Sequence, residues 1–378
     1  MNYQWIEDSS VFERIAQDWD RALLCSKEDN PFLLSDFIQT WWKYYAKGSK
    51  LQIFVLYDGK NIIGGLPLYH KKEGYLEYPG GCLANYTEFL TNGNNQQQVW
   101  GTFLAALDER KDWRCVSLKR YRKNRCASLQ EFLREPFHYN GIWVDSYKCG
   151  YTYLINIPEN FSNYIDFLPK KLRYYIRRSE KEFSKLGKIT FSSLHNHDEL
   201  LEWYDTFIRL SRDSFKRRNK ISAFEDERQC EFFKELINKF YRAGYLDLNV
   251  LKLNDRVIAI HFGYSTGKNL NYVFPVFDMD FAPLNPGHLL IYRLIELGTK
   301  RGNKLFDFYS GHSFYKEQWS QDKEDMLIVE IRRKNTRNRI ERYIGKKIRG
   351  SLLIDKLKEK ARGFPGVVKV AKKVSKLI

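Results

Sequence analysis

Residues 247–278, DLNVLKLNDRVIAIHFGYSTGKNLNYVFPVFD, decide the fold. Apolar runs broken at Asn254-Asp255 and around Thr266-Gly267 read as three consecutive strands. PGHLLIYRLIELGTKRG (286–302) then reads as a helix, with Pro286 suited to the first turn and Gly302 as its stop. KLFDFYSG (304–311) and MLIVEIRRK (326–334) are closing strands. Upstream, KITFSSLH (188–195) is strand-like. DELLEWYDTFIRLSRDSF (198–215) and ERQCEFFKELINKFYRAG (227–244) have the three-to-four-residue apolar spacing of helices.

The first half runs in a similar order. An amphipathic segment over 11–24 and a turn at 28–31 precede a Trp-rich helix, FLLSDFIQTWWKYYAK (32–47). LQIFVLYDG (51–59) and KNIIGGLPLYHKK (60–72) form a hairpin around Asp58-Gly59, a strong turn signal. GYLEYPGG (74–81), ANYTEFLT (84–91), a helix over 96–110 and the strand WRCVSLKRY (113–121) follow. Two similar α/β (α+β) units are expected, with mixed central sheets flanked by helices. Their spans are 1–157 and 158–335, with a basic helical tail at 336–378.

The 378 residues are 43% hydrophobic and include 26 Phe, 25 Tyr and 9 Trp, a globular composition that excludes a disordered chain. The six cysteines (Cys25, Cys82, Cys115, Cys126, Cys149, Cys230) contain no C-x-x-C pair, so neither a zinc site nor a disulfide framework is indicated. No apolar run approaches the roughly 20 residues of a spanning helix, and the start lacks the parts of a signal peptide. The expected location is the cytoplasm, with the inner membrane face as a peripheral site. The formal charge of +17 is uneven: residues 331–378 hold 17 Lys and Arg against 3 Asp and Glu, which leaves only +3 on residues 1–330.

Several blocks together resemble the FemAB-like branch of the GNAT acyltransferases, in particular the group called CelD/BcsL or BioF2-like. They are NPFLLSDFIQTWWKYY (30–45), GKNIIGGLPLYHKK (59–72), CLANYTEFL (82–90), LPKKLRYYIRRSEKEFSKLG (168–187), DRVIAIHFGY (255–264), NPGHLL (285–290) and FDFYSGHSFYKEQW (306–319). The resemblance implies two tandem GNAT folds and acyl transfer from a thioester to an amine, often in cell-surface polysaccharide biosynthesis. It also implies a donor site at Asn285, Gly287 and His288, because free amides and the helix dipole at a helix start favour an anion. The usual Gln/Arg-x-x-Gly-x-Gly/Ala pattern is absent, so acyl-CoA and an acyl-carrier protein both stay open as co-substrate; no metal is expected.

Amine acylation needs a route for the amine's proton and stabilisation of the oxyanion. His261 and Asp307 are titratable groups in otherwise apolar strands, where burial perturbs a pKa and makes a candidate base. A lone strand histidine is more often a hydrogen-bonded core residue. The resemblance runs Asp-Phe-x-x-Gly-x-x-x-Tyr-Lys through Asp307, Gly311, Tyr315 and Lys316, with Gly311 at a tight turn and Lys316 as a counter-ion. Asn85, Tyr86 and Glu88 are candidates for binding a sugar hydroxyl or the acceptor amine. On the basic stretch 170–188, Arg173, Arg177 and Lys181 share one helix face. That face suits a sugar-linked pyrophosphate, the donor, or solvent alone.

In the tail, Ile340, Ile344, Ile348 and Leu352 recur every four residues beside basic residues, the profile of a helix at an anionic membrane surface. Nucleic acid would attract it too, and docking of its first piece on the body is the plainer reading. The leading function is thus an N-acyltransferase acting on an amino sugar or an amino-acid-like amine, nucleotide- or lipid-linked, at the cytoplasmic membrane face. The alternatives are an aminoacyl-tRNA-dependent peptidyltransferase of the FemABX type and a non-catalytic adaptor for anionic lipid or nucleic acid.

Overall fold

The computed structural model describes residues 1–26, 29–81, 83–91, 95–124, 141–311, 313–320 and 322–349, the last six of these by backbone alone. The first half comprises β1 (Asn2–Ile6), α1 (Ser9–Cys25), α2 (Ser35–Tyr45), β2 (Lys50–Asp58), β3 (Asn61–Lys72), β4 (Gly74–Glu77), β5 (Leu90–Thr91), α3 (Gln96–Glu109), β6 (Trp113–Arg122) and β7 (Ile142–Asn156). The second comprises α4 (Lys170–Leu186), β8 (Ile189–Ser193), α5 (His197–Lys216), α6 (Glu227–Arg242), β9 (Leu246–Leu253), β10 (Arg256–Tyr264), β11 (Asn269–Asn271) and β12 (Phe274–Phe277). It closes with α7 (Pro286–Arg301), β13 (Leu305–Ser310), α8 (Phe314–Trp319), β14 (Lys323–Arg333) and α9 (Thr336–Arg349).

Local chemistry accounts for the element ends. Asn196 and Asp226 accept from the backbone amides of Glu199 and Arg228 at the starts of α5 and α6, both at 3.0 Å. Pro286 opens α7, and Gly302 ends it with φ 72°. The β2–β3 hairpin turns at residues 59–60, with Asp58 opposite Asn61.

Among the described residues the strands form two sheets. One is ten-stranded, in the order β1-β2-β3-β4-β6-β14-β7-β13-β11 with β5 on β3; the other is four-stranded, β12-β10-β9-β8. Each half contains the same unit, a strand, a helix and a parallel strand: β4–α3–β6 in the first and β11–α7–β13 in the second. β6 and β13 even share a defect. Each has one extra residue against its antiparallel partner, and within each bulge a non-glycine residue has left-handed backbone: Arg120 at φ 61° and Tyr309 at φ 56°. This is a tandem GNAT-like α/β fold.

The strand after each unit is exchanged between the halves. β7 pairs with β13, and β14 lies between β6 and β7. Hydrogen bonds thus run across the expected boundary near Pro158, and neither half completes its sheet alone. Helix packing adds to this join: Phe37 and Tyr45 on α2 pack edge-on against Phe232 on α6.

α9, the start of the basic tail, is docked on the body through its polar face. Asn338 is buried and donates to the carbonyls of Arg114 and Arg333, while Arg342 pairs with Asp145 and covers Trp143. Ile340 and Tyr343 face solvent. Ile344 and Ile348 have no described side chain, and Leu352 with the rest of the tail lies outside the described residues, as do Cys82 and Cys126. The other four cysteines are free thiols. No helix among the described residues is long and apolar enough to cross a membrane.

Candidate active site

The path from β11 to β12 shapes the site. Asn269–Asn271 runs parallel to Leu305–Asp307, but Phe274–Phe277 has left β13 and pairs with β10. Beside this splay lies a chamber of about 530 Å³ between α5, β12 and the start of α7. Asn285, Gly287, His288 and Tyr315 all line it, so four residues singled out in the sequence share one chamber.

The start of α7 presents few donors. Pro286 has no amide hydrogen, and the amides of His288 and Leu289 both reach back to the Asn285 carbonyl, at 3.1 and 3.4 Å. Gly287 N–H has no backbone acceptor, and the Asn285 side chain makes no cap bond. A Cβ added at Gly287 would meet only the Phe277 ring, at 3.4 Å, so the fold itself does not require glycine there.

His288 is held in one tautomer. Trp319 Nε1–H donates to its Nδ1 at 2.9 Å, and an indole nitrogen can only donate, so the imidazole proton sits on Nε2. Burial pulls its pKa down to about 4, so the ring is a neutral donor at pH 7. The Tyr175 ring stacks on it at 5.4 Å. Lys171 lies above both Tyr175 and Phe314, which places one cation of the basic helix on this side. Burial pushes Tyr315 up to about 12 and keeps its hydroxyl protonated.

The His288 shift has a measurable consequence. An unfolded histidine titrates near 6.5, whereas folded His288 does so at about 4. Between these values the unfolded chain binds the proton and the folded one does not. His288 therefore contributes its full share of stability above pH 6.5, and that share falls away as the pH drops towards 4, by about 3 kcal/mol in all. His288→Gln should show a shallower fall in chemical-denaturation midpoint between pH 6.5 and 4 than the unaltered protein; equal slopes would contradict it.

Asp307 lies deeper. Its Oδ1 accepts from Thr152 Oγ1 at 2.8 Å and from Tyr309 N–H at 2.7 Å, and its Oδ2 accepts from the Tyr86 hydroxyl at 2.5 Å. Burial raises its pKa against these bonds. Its carboxylate pins the β13 bulge and does not line the chamber. Tyr86 is buried under the Arg122 guanidinium, which grips Glu88 with two bonds of 2.6 Å. Tyr86 and Glu88 are thus interior, whereas Asn85 accepts from Ser310 Oγ at 3.0 Å.

Lys316 is buried beneath the same strand end. Its Nζ donates to the carbonyls of Phe308, Tyr309 and Ser310 at 2.8, 3.2 and 3.3 Å. Burial lowers its pKa to about 8, but three carbonyl acceptors favour the ammonium. It ties down the turn before Gly311. Gly311 and Ser310 line a second chamber of about 490 Å³, with Lys119, Arg120 and Tyr151.

His261 is fully buried, and both ring nitrogens are in use. Nδ1 meets the Asn249 amide at 3.3 Å, and Nε2 meets the Asn271 carbonyl at 3.1 Å. Its ring stacks on Tyr272, which lines the main chamber where His261 does not. Arg173 and Arg177 turn to the other side of the basic helix, towards the Asp166 carbonyl and carboxylate. Tyr272, Trp319, Lys171 and Arg122 were not singled out in the sequence. Of these, only Lys171 and Trp319 fall in blocks that carried the resemblance. Among the described residues no three His, Cys, Asp or Glu side chains converge as metal ligands.

Residues 170–317 match the family model described as an acetyltransferase (GNAT) domain. That segment, less than half of the chain, is similar to GNAT-type acetyltransferase domains. Among solved structures the protein is similar to FemX, at 12% identity and TM-score 0.63 over 87% of this chain and 97% of that one. It is also similar to a C-terminal domain described as that of a lysylphosphatidylglycerol synthetase from Agrobacterium fabrum, at 10% identity and TM-score 0.53 over 88% and 96%. A third is L-PGS from Bacillus licheniformis, at 15% identity and TM-score 0.51 over 88% and 95%. At these identities the likeness is one of fold. A search of curated proteins by sequence found no match.

Proposed function

We propose that the protein transfers an acyl group from a thioester to an amine, with an amino sugar carried on a nucleotide or lipid as acceptor. The observation that carries this reading is the chamber that Gly287, His288 with its proton on Nε2, and Tyr315 all line. These are donors suited to an oxyanion. No carboxylate lines the chamber among its described residues, so the amine must arrive neutral. Its attack forms the C–N bond, the C–S bond breaks, and the amine's proton passes to the departing sulfur with Tyr315 as relay. Asp307 and Lys316 act here as positioning residues for the strand end, and the second chamber, beside Asn85 and Gly311, is the entry for the acceptor.

With its one free amide given to the oxyanion, the start of α7 offers no amide-lined cradle for a diphosphate, which favours phosphopantetheine on a carrier protein over CoA. The experiment is release of free thiol from S-acetyl-pantetheine, with and without glucosamine or other amines. Release is expected only with an amine; equal release without one would overturn the reading. A second reading, with an aminoacyl ester as donor, is supported by the likeness to FemX and to the proteins described as lysylphosphatidylglycerol synthetase. The same assay with an aminoacyl ester tests it. The solvent-facing Ile340 and Tyr343 on α9 support a peripheral place at an anionic membrane, and the two halves are proposed to meet at residues 157–158.

A further inference from the structure

We infer that the chamber holds an uncharged apolar acyl chain of several carbons, with its carbonyl at the start of α7 and its tail towards α5. This rests on the acyltransfer reading and names its donor class. The walls away from Gly287 are mainly apolar, with Phe207, Phe215, Phe224, Phe274 and Val276 among them. Phe224 also packs on both Phe207 and Phe274, which makes this end a preformed surface. Its volume of about 530 Å³ far exceeds what an acetyl group fills, and lies in the range of sites that enclose whole small ligands.

Most polar side chains at that end are already engaged, Gln229 apart. Ser211 and Ser222 hydroxyls bond each other at 3.2 Å, and Arg218 donates to the Ser214 carbonyl and hydroxyl at 2.8 and 2.6 Å. An aminoacyl group would bring an α-ammonium into this chamber. No carboxylate lines it among the described residues, and an unpaired buried charge is strongly disfavoured. Arg218, the charged side chain that does line it, would repel an ammonium. The chamber therefore selects against aminoacyl donors and for hydrocarbon ones.

The test is calorimetric binding of S-acyl-pantetheines from acetyl to decanoyl to the full chain, with thiol release to an amine measured in parallel. Affinity is expected to rise about threefold to fourfold per added methylene until the chamber is full. S-alanyl-pantetheine should bind at least tenfold more weakly than its uncharged match, S-propionyl-pantetheine. Ser211→Leu, which fills the far end, should weaken decanoyl binding at least tenfold and leave acetyl binding within threefold; Phe274→Trp serves if the first variant does not fold.

A flat chain-length series with amine-dependent thiol release intact overturns this inference and leaves the transferase reading standing. A rising series without any release upholds the chamber's role and overturns that reading. If n-alkylamines show the chain-length rise and the thioesters do not, the chain belongs to the acceptor, and the donor assignment fails.

Discussion

Asp307→Ala is expected to lower the stability of the folded protein by about 4 kcal/mol, because it leaves three buried donors without an acceptor. They are Thr152 Oγ1–H, Tyr309 N–H and the Tyr86 hydroxyl. The loss should reach the site, since Tyr309 sits in the strained bulge from which Ser310 and Gly311 project. Asp307→Asn is the informative companion. It keeps an acceptor for Thr152 and Tyr309, so it should cost about 1 to 2 kcal/mol and slow amine-dependent thiol release less than tenfold. A thousandfold slower release by a well-folded Asp307→Asn would make Asp307 a proton-transfer group and overturn its assignment as a positioning residue.

Gly287 gives the opposite pattern, a large loss of activity without loss of stability. Its backbone is ordinary for a helix and its would-be Cβ has room beside Phe277, so alanine there should hold or slightly raise the unfolding midpoint. The same Cβ stands at the chamber wall where the donor carbonyl is proposed to lie. Gly287→Ala is expected to lower kcat/KM about tenfold and Gly287→Leu about a hundredfold or more, the scale of a misplacement of about 1 Å. Full activity in a stable Gly287→Leu protein would remove the start of α7 from the site.

Much of the architecture was legible locally. The Asp58-Gly59 hairpin, the Pro286 start and Gly302 stop of α7, and strands β9 and β10 rest on short-range chemistry and stand where it put them, whereas the expected third strand divides into β11 and β12, which belong to different sheets. β7 was missed. IWVDSYKCGYTYLIN mixes polar residues into its apolar ones, and both of its sheet neighbours come from the second half, more than 140 residues away. The exchange of β7 and β14 was invisible for the same reason: a strand's own pattern says that it pairs, not with what.

The site divides in the same way. Asn285, Gly287 and His288 were readable because a helix start is a local object, and Tyr315 because it falls in a block of the resemblance. His261 and Asp307 stood out as polar groups in apolar strands, a sign shared by catalytic residues and by satisfied core residues. Their partners separate the two cases: Asn249 and Asn271 for His261, Thr152 and Tyr86 for Asp307. The sequence alone determined the tandem α/β elements, the nearly neutral body with its basic end, and the start of α7 at Pro286. Only the tertiary structure decided which polar side chains face the chamber and which are locked inside, because periodicity reports how buried a residue is, while its chemistry depends on atoms brought up to it from distant parts of the chain.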